Sequence, residues 1–396
     1  MKKILLLLLT LSAGALSAMA DNTVSVSSAL IPQGKSGTFY IELTNTDAFA
    51  SSMEVHLTLP EGITFGSVAL SDRFTDNPTL NSTTNGQNVT ITTLSATNAA
   101  ISDNSGPLLF VTISADAGLA VGSKLTASIT NMELAKKVGN GHEKWNPESF
   151  NFEIEITDKV ILDENNPALP IATDAEVNIL VKRTIKANQW NTICLPFDMT
   201  EEQIYAAFGN DVQLAEFDTT EKGYTVNNDG SIEIDFIDTD LEDGLYGNFP
   251  YIIKTSSNIS QFEVSAQIDP DETGAIDEYS EGRGSKKVIY RIFTGTLHAG
   301  TVIPENNLFL SDNQFYFSLG STKCKAFRAY FWFKDIIPAN FANSRIFLNV
   351  SEGSASYIHE IFNDKLDNYT YDLQGRRVEK PVKGLYIHNG RKEVVR

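Results

Sequence analysis

The residue types best spaced for a chemical task lie in one acidic loop. A calcium-binding loop takes oxygen ligands at positions 1, 3, 5 and 9 and glycine at position 6, and this pattern is met by Asp269, Asp271, Thr273 and Asp277 with Gly274. Position 12, where such loops carry a bidentate acid, holds Ser280, and the flanking segments have the pattern of strands instead of helices. These four residues are candidate calcium ligands, and a solvated acidic hairpin loop is the competing interpretation.

The residue types that carry out catalysis are scattered. The five histidines show no pairing at a spacing of four residues, and none lies near a cysteine. The chain has no nucleophile elbow, no zinc-protease motif and no phosphate-cradling glycine loop. A carboxylate pair for glycoside hydrolysis depends on the fold and is not readable from spacing. We predict a protein that is not an enzyme and has no cofactor, and a polysaccharide-active enzyme is the least favoured alternative.

The two cysteines, Cys194 and Cys324, are too few for a thiolate zinc site. An exported compartment permits a disulfide between them. Both cysteines are flanked by hydrophobic residues, a pattern equally typical of two buried thiols. Both interpretations stay open.

Three tryptophans are the candidates for stacking on sugar rings. Trp190 and Trp332 lie in apolar runs and are predicted to be core residues, because large aromatic side chains are mostly buried. Trp145 lies in the polar segment 142–147, which is predicted to be a loop. It is therefore the ligand-stacking candidate.

The elements that position these residues are predicted to be strands. Between residues 24 and 156, apolar residues recur at every second position, as in Phe39, Ile41 and Leu43, and Gly, Pro and Asn clusters separate the runs. Many short alternating runs with such turns are typical of an antiparallel β-sandwich. Residues 21–158 are therefore predicted to form the first β-sandwich domain.

The rest of the chain is predicted to hold a second β-rich domain. An acidic segment with two prolines, 159–182, has the composition of a linker with one strand expected at 177–181, and 183–350 resumes the strand pattern. Thr200-Glu201-Glu202-Gln203 is a capping box that starts one short helix, and Gly209 is placed to end it. A spacer, 351–369, leads to a basic tail, 370–396, predicted to be a small β-hairpin. The predicted fold class is all-β, with two β-sandwich or jelly-roll-like domains in tandem.

The N-terminal segment predicts export. Residues 1–20 combine two lysines, an apolar run and an Ala-Met-Ala end, which are the parts of a signal peptide. Its removal changes the net charge from −19 to −21. A chain with this net negative charge repels nucleic acid, so nucleic acid is not expected as a partner. No later segment has about 20 continuous apolar residues, so no membrane span is expected after the signal peptide. We expect a location at the cell surface, in the outer membrane or outside the cell, with the periplasm as the alternative.

Three segments resemble known families. The segments 37–45, 57–63 and 104–111 are similar to cohesin-like domains, sandwiches related to carbohydrate-binding modules that act as protein-binding modules of glycan-degrading assemblies. The segments 182–185 and 190–198 resemble a recurrent domain of Bacteroidales-type surface proteins, to which no activity is attached. The segments 371–378 and 383–387 are similar to the sorting domains of type IX secretion substrates, which implies transport to the cell surface.

Together these patterns predict a non-catalytic secreted or cell-surface protein. Its partner is expected to be an extracellular glycan or a surface protein, bound through loops at one end of the cohesin-like module. A structural envelope or matrix component is the alternative.

Overall fold

The fold is described from a computed structural model. The structure describes residues 22–139, 141–219, 223–271, 276–281, 288–332, 346–351, 370–372, 377–378, 384–388 and 391–395. Its contacts divide the chain into two compact units, the first ending at Ile156 and the second beginning at Thr157. The predicted signal peptide and almost all of the predicted spacer, residues 352–369, lie outside the described residues. No helix in the described part of the chain is both long enough and apolar enough to cross a bilayer.

The first unit consists of two antiparallel sheets. One has the strand order β1-β3-β8-β5, and the other has the order β2-β11-β9-β4-β7-β6, with β10 added beside β9. The strands are β1 (Thr23–Val26), β2 (Ala29–Pro32), β3 (Ser36–Thr44), β4 (Phe49–Thr58), β5 (Ile63–Leu70), β6 (Thr79–Asn85), β7 (Asn88–Leu94), β8 (Pro107–Ala115), β9 (Lys124–Val138), β10 (Gly141–Trp145) and β11 (Phe150–Thr157).

The alternation that predicted these strands also fills the core between the two sheets. Phe39, Ile41 and Leu43 of β3 and Val55 and Leu57 of β4 are buried in one continuous cluster. Burying each such side chain contributes about 1.5–3 kcal/mol to folding. The β-sandwich prediction is confirmed for this unit.

The second unit is also built from strands, and the all-β fold class is confirmed. Its sheets have the orders β12-β13-β19, β14-β18-β15-β17-β16 with β27 beside β17, β20-β21-β26-β23-β24, and β22-β25. The strands are β12 (Val160–Asp163), β13 (Val177–Lys182), β14 (Asn191–Ile193), β15 (Gln213–Phe217), β16 (Tyr224–Val226), β17 (Ile232–Asp238), β18 (Tyr251–Lys254), β19 (Phe262–Ala266), β20 (Ile276–Glu281), β21 (Val288–Thr296), β22 (Thr301–Val302), β23 (Leu308–Ser311), β24 (Gln314–Phe317), β25 (Lys323–Cys324), β26 (Arg328–Phe331) and β27 (Ile346–Ser351).

The predicted helix is confirmed. α1 (Glu201–Phe208) begins after Thr200, whose side chain accepts a hydrogen bond from the Gln203 amide. The Gln203 side chain accepts in turn from the Thr200 amide at 2.9 Å, and Gly209 ends the helix with φ 94°. A 3-10 turn, Leu241–Asp243, follows further along the chain.

The predicted linker, residues 159–182, contains two strands. The segment contributes β12 and β13, which pair with each other in parallel, and β13 pairs with β19. The strand expected at 177–181 is present as β13, whereas β12 was not expected.

The C-terminal segment forms more than the predicted hairpin. Its described strands, β28 (Thr370–Asp372), β29 (Arg377–Val378), β30 (Gly384–His388) and β31 (Arg391–Val395), form a four-stranded antiparallel sheet in the order β29-β28-β30-β31.

Candidate binding surface

The outer face of the larger sheet of the first unit carries polar side chains in register. On β4 and β7 the core side chains Val55 and Ile91 lie opposite each other, so the residues between core positions point outward. Three outer rows therefore cross β6, β7, β4 and β9. They are Asn81–Thr92–Glu54–Glu133, Thr83–Thr90–His56–Asn131 and Asn85–Asn88–Thr58–Ser128.

The charges of this face lie on β4, β9, β10 and β11, and not on the β6–β7 hairpin. Glu54 and Glu133 lie directly opposite each other, an unfavourable like-charge pair. His56 Nε2 lies 2.6 Å from Glu54 Oε1, and Lys144 Nζ lies 2.9 Å from Glu133 Oε1. These two contacts offset part of the repulsion between Glu54 and Glu133.

The β6–β7 hairpin carries no charge at all. No Asp, Glu, Lys, Arg or His occurs from Asn77 to Ser102, although 20% of the chain is charged. We call the outward residues of this hairpin the uncharged strip, and they are Asn81, Thr83, Asn85, Asn88, Thr90 and Thr92. Leu94, 68% exposed, follows at the end of β7. The strip therefore offers amide and hydroxyl groups and one apolar contact, without a formal charge.

Two side-chain contacts connect the uncharged strip to β4. The Thr58 hydroxyl donates to Asn88 Oδ1 at 2.9 Å, and Thr90 Oγ1 lies 3.4 Å from His56 Nδ1. On the other side the hairpin closes in a two-residue turn in which Gly86 has φ 59°. A glycine at the first turn position suits the twist of a tight hairpin. The strip is thus connected to β4 along one side and closed by the turn at one end.

Asp76 fixes the open end of the hairpin. Its carboxylate accepts hydrogen bonds from the hydroxyls of Ser95 and Thr97, which connects the residues before β6 to those after β7. The Ser95 hydroxyl is the main reason that the pKa of Asp76 lies below its ordinary value. A lowered carboxyl pKa stabilises the native state above the unfolded pKa of about 4, and this contribution is lost as the pH falls through the folded pKa.

We therefore predict that Asp76→Asn weakens the hydrogen bonds at the open end of the hairpin at neutral pH. Protonation of Asp76 at low pH should have the same effect in the native protein. One charge-assisted hydrogen bond contributes about 1.5 kcal/mol, so hydrogen-exchange protection of residues 79–94 should fall about tenfold. The measurement is exchange at pH 7 and pH 3, corrected for intrinsic rates. The native chain should lose protection at pH 3, and the variant should lose less because its side chain does not titrate. Equal pH dependence in both proteins would contradict the role of Asp76.

The predicted ligand-stacking residue is packed against the core. Trp145 is the last residue of β10, not part of a loop, and pairs with Leu134 of β9. Its ring lies 5.2 Å from that of Phe49, and the side chain is half-buried. Residues that lie directly opposite each other on paired strands point to the same face, so Trp145 lies on the core side with the buried Leu134. Part of the ring is therefore taken up by core packing, and stacking of Trp145 on a sugar stays a prediction.

The two cysteines are buried free thiols in the structure, and the disulfide is not present. Cys194 packs with Leu297, whereas Cys324 packs with Ile303 and Tyr330. Burial raises the pKa of both thiols. The interpretation as buried thiols therefore describes both residues.

The candidate calcium ligands are only partly covered by the description. Asn248 accepts a hydrogen bond from the Asp271 amide at 3.0 Å and donates to the Asp269 carbonyl at 2.8 Å. Thr273 lies outside the described residues, and Asp277 lies on β20, of which only the backbone is described. Within the described ranges no cluster of three or more His, Cys, Asp or Glu side chains is arranged to hold a metal ion. Calcium binding in this loop stays a prediction.

Comparison with known proteins yields structural neighbours for about a third of the chain. No family model matches, and no curated protein matches. The chain is similar to the sixth cohesin of Acetivibrio cellulolyticus scaffoldin B, solved in complex with a Cel5 dockerin mutant, at TM-score 0.31 and 14% identity over 35% of this chain and 99% of that chain. A cohesin module of a Clostridium perfringens family 33 glycoside hydrolase matches at TM-score 0.28 and 16% identity over 35% and 96% of the two chains.

A non-cellulosomal cohesin of Archaeoglobus fulgidus matches at TM-score 0.27 and 18% identity, over 35% of this chain and 92% of that chain. These similarities are too low to transfer a partner or a function. The assignment of a binding surface therefore depends on the geometry of the first unit alone.

Proposed function

We propose that the protein is a non-catalytic binding protein whose first unit takes a protein partner on the uncharged strip. The observation that carries the proposal is the absence of charge along the β6–β7 hairpin of a strongly acidic chain. Charged groups are costly to remove from water, and the centres of protein interfaces are depleted in them. A partner can cover the strip without desolvating an ion.

A protein partner fits this surface better than a glycan. Sugar rings are held largely by aromatic side chains, and the six residues of the strip are threonines and asparagines. These side chains supply paired donors and acceptors over a sheet face, which suits the backbone and side-chain groups of another protein. Trp145 is half-buried, lies on β10 and is not part of the strip. Recognition is thus expected on a sheet face instead of the end loops of the sandwich.

The site of action is expected to be outside the cytoplasm. This part of the proposal depends on the signal-like residues 1–20 and on the resemblance of the tail to a sorting domain. The second unit then serves as a spacer or as a further binding unit between the first unit and the tail.

The test compares two sets of charge substitutions in the full mature protein. Thr83→Lys with Thr90→Lys, and Thr83→Glu with Thr90→Glu, place charges of either sign in the strip. An unpaired polar or charged group in an interface costs roughly 1–3 kcal/mol, so binding should weaken at least about tenfold for both signs. The measurement is the affinity for a partner captured by cross-linking on the surface of the producing cells.

Matched controls lie on the outer face of the other sheet. Thr64 and Ser67 of β5 are also exposed and uncharged, and their Lys variants should bind as tightly as the native protein. If the strip variants retain full affinity, or if the β5 variants lose it, the strip is not the binding surface.

A further inference from the structure

The free edge of β6 is a second feature of the same hairpin. In the described part of the chain β6 pairs with β7 alone, and this seven-residue ladder runs from Thr79 to Asn85 without a register shift. Natural edge strands are protected against pairing by charges, prolines or bulges. β6 contains none of these, since Pro78 precedes the strand. Its edge is therefore open to another strand.

The turn geometry identifies which backbone groups point outward at this edge. A two-residue hairpin turn closes on a pair that exchanges both backbone hydrogen bonds, which is Asn85 and Asn88 here. Because hydrogen-bonded pairs alternate along an antiparallel ladder, Thr83 and Asn81 also bond toward β7. The residues between them, Thr84, Ser82 and Leu80, direct their N–H and C=O groups to the open side.

The residues with outward N–H and C=O groups are spaced evenly, with Leu80 and Thr84 two positions on either side of Ser82. If a second β6 lies antiparallel with Ser82 opposite Ser82, Leu80 faces Thr84 of the other copy on each side. Asn81 then faces Thr83, and Thr79 faces Asn85. Every cross-strand pair is uncharged, and threonine pairs well in strands. The strand is thus complementary to itself in this register.

The lack of charge makes this edge a favourable contact between two copies. The net charge of −19 makes copies of the chain repel each other. The residues that meet at a β6 contact belong to the uncharged run 77–102. The neighbouring edge strand β5, which lies in the other sheet, is also free of charge. Two copies that meet along β6 therefore bring no like charges of these two strands together.

We propose that two copies of this protein associate through antiparallel pairing of β6 with β6, with Ser82 at the twofold axis. The two outer faces then join into one continuous sheet, and the two uncharged strips lie side by side. The proposal goes beyond the proposed function, because the edge and the strip are different surfaces of the hairpin. A dimer presents two strips to a partner, so the two interactions are compatible.

The first test is the oligomeric state of the full mature protein by sedimentation over a range of concentrations. The native protein should reach a dimer, and Ser82→Pro, which removes one outward N–H from an edge where proline is tolerated, should raise the dimer dissociation constant at least about tenfold. Ser82→Ala keeps the backbone donor and should dimerise like the native protein. A native protein that stays monomeric, or an unchanged Ser82→Pro dimer, overturns the proposal.

A second test does not depend on tolerance of proline. The Cα atoms of a hydrogen-bonded antiparallel pair lie about 5.5 Å apart, within the range that a disulfide bridges. Ser82→Cys should therefore oxidise to a covalent dimer. The two native cysteines are buried, so they should not form the intermolecular bond. Thr126→Cys on β9 is exposed on the same sheet and should stay monomeric. Equal cross-linking of the two variants overturns the register. Thr90→Lys or Thr90→Glu alone charges the strip on β7 and leaves β6 unchanged, so its combination with Ser82→Cys should lose the partner but still form the disulfide, which separates this dimer from the proposed function.

Discussion

Arg73→Met should lower the free energy of unfolding of the first unit by about 4 kcal/mol, because it leaves several buried carbonyl groups without donors. The Arg73 side chain is 2% exposed. Its five N–H groups donate, at 2.7–2.9 Å, to the carbonyls of Leu43, Ser102, Asp103 and Gly106 and to Asn45 Oδ1.

These acceptors lie on two segments that are distant in sequence. Leu43 lies at the end of β3 and Asn45 directly follows the strand, whereas Ser102 to Gly106 precede β8. The guanidinium thus joins the strand ends of one sheet at one end of the sandwich. Burial lowers the pKa of Arg73, and the charges of Asp103 and Asp72 act in the opposite direction. Lysine has fewer donors and no planar fork, so Arg73→Lys should recover only part of the loss.

The measurement is denaturant-dependent hydrogen exchange of peptides covering β3 and β8, which reports the first unit separately. The matched control is Lys35→Met, which removes a cation from an exposed position of the same unit and should change stability by less than about 0.5 kcal/mol. If Arg73→Met and Lys35→Met are equally stable, the hydrogen bonds of Arg73 contribute little.

The strands of the first unit were predictable because their signal is local. Alternation with a period of two places Phe39, Ile41 and Leu43 on one face, whatever the neighbouring strand is. The capping box of α1 is local in the same way, since Thr200 and Gln203 are three residues apart. Both predictions agree with the structure for this reason.

The structural features that could not be predicted depend on contacts between residues that are distant in the chain. The segment 159–182 was predicted to be a linker with one strand at 177–181, and nothing in it indicates β12 or the pairing of β13 with β19. The role of Arg73 depends on carbonyl groups of other segments, and a carbonyl has no sequence signal. The lack of charge in 77–102 is readable from the sequence, but its location on one outer face follows only from the register of β6, β7 and β4.

The second unit contains a buried ion cluster centred on Glu164. Arg328 Nη2 lies 2.7 Å from its carboxylate, Lys325 Nζ 3.2 Å and Arg183 Nη1 3.4 Å. Arg183 is fully buried and also donates to the carbonyls of Phe327 at 3.1 Å, Thr192 at 2.7 Å and Thr184. The Glu164 carbonyl accepts from the Ala326 amide at 2.9 Å. One carboxylate therefore contacts three cations at the place where the segment after β12 meets the segment between β25 and β26.

Glu164→Gln should destabilise the second unit by about 3–5 kcal/mol, because it leaves Arg183 and Arg328 close together without their counter-charge. Arg183→Met keeps Glu164 paired with the other two cations but deprives buried carbonyls of a donor, and it should cost about 2–4 kcal/mol. The double variant should cost less than the sum, since the repulsion that Glu164→Gln exposes is relieved when Arg183 is absent. Additive effects within about 0.5 kcal/mol would show that the two side chains are not coupled.

The pH dependence gives an independent check of the same cluster. Burial alone would raise the pKa of Glu164, but the charges of Arg328, Arg183 and Lys325 outweigh it and hold the pKa below its ordinary value. A lowered carboxyl pKa contributes stability above the unfolded pKa of about 4.3, and that contribution disappears as the pH falls through the folded pKa. Exchange protection of β13, β14 and β26 should therefore fall below about pH 4 in the native protein. The fall should be smaller in Glu164→Gln, which has no carboxylate to protonate, while Lys35→Met in the other unit should follow the native curve.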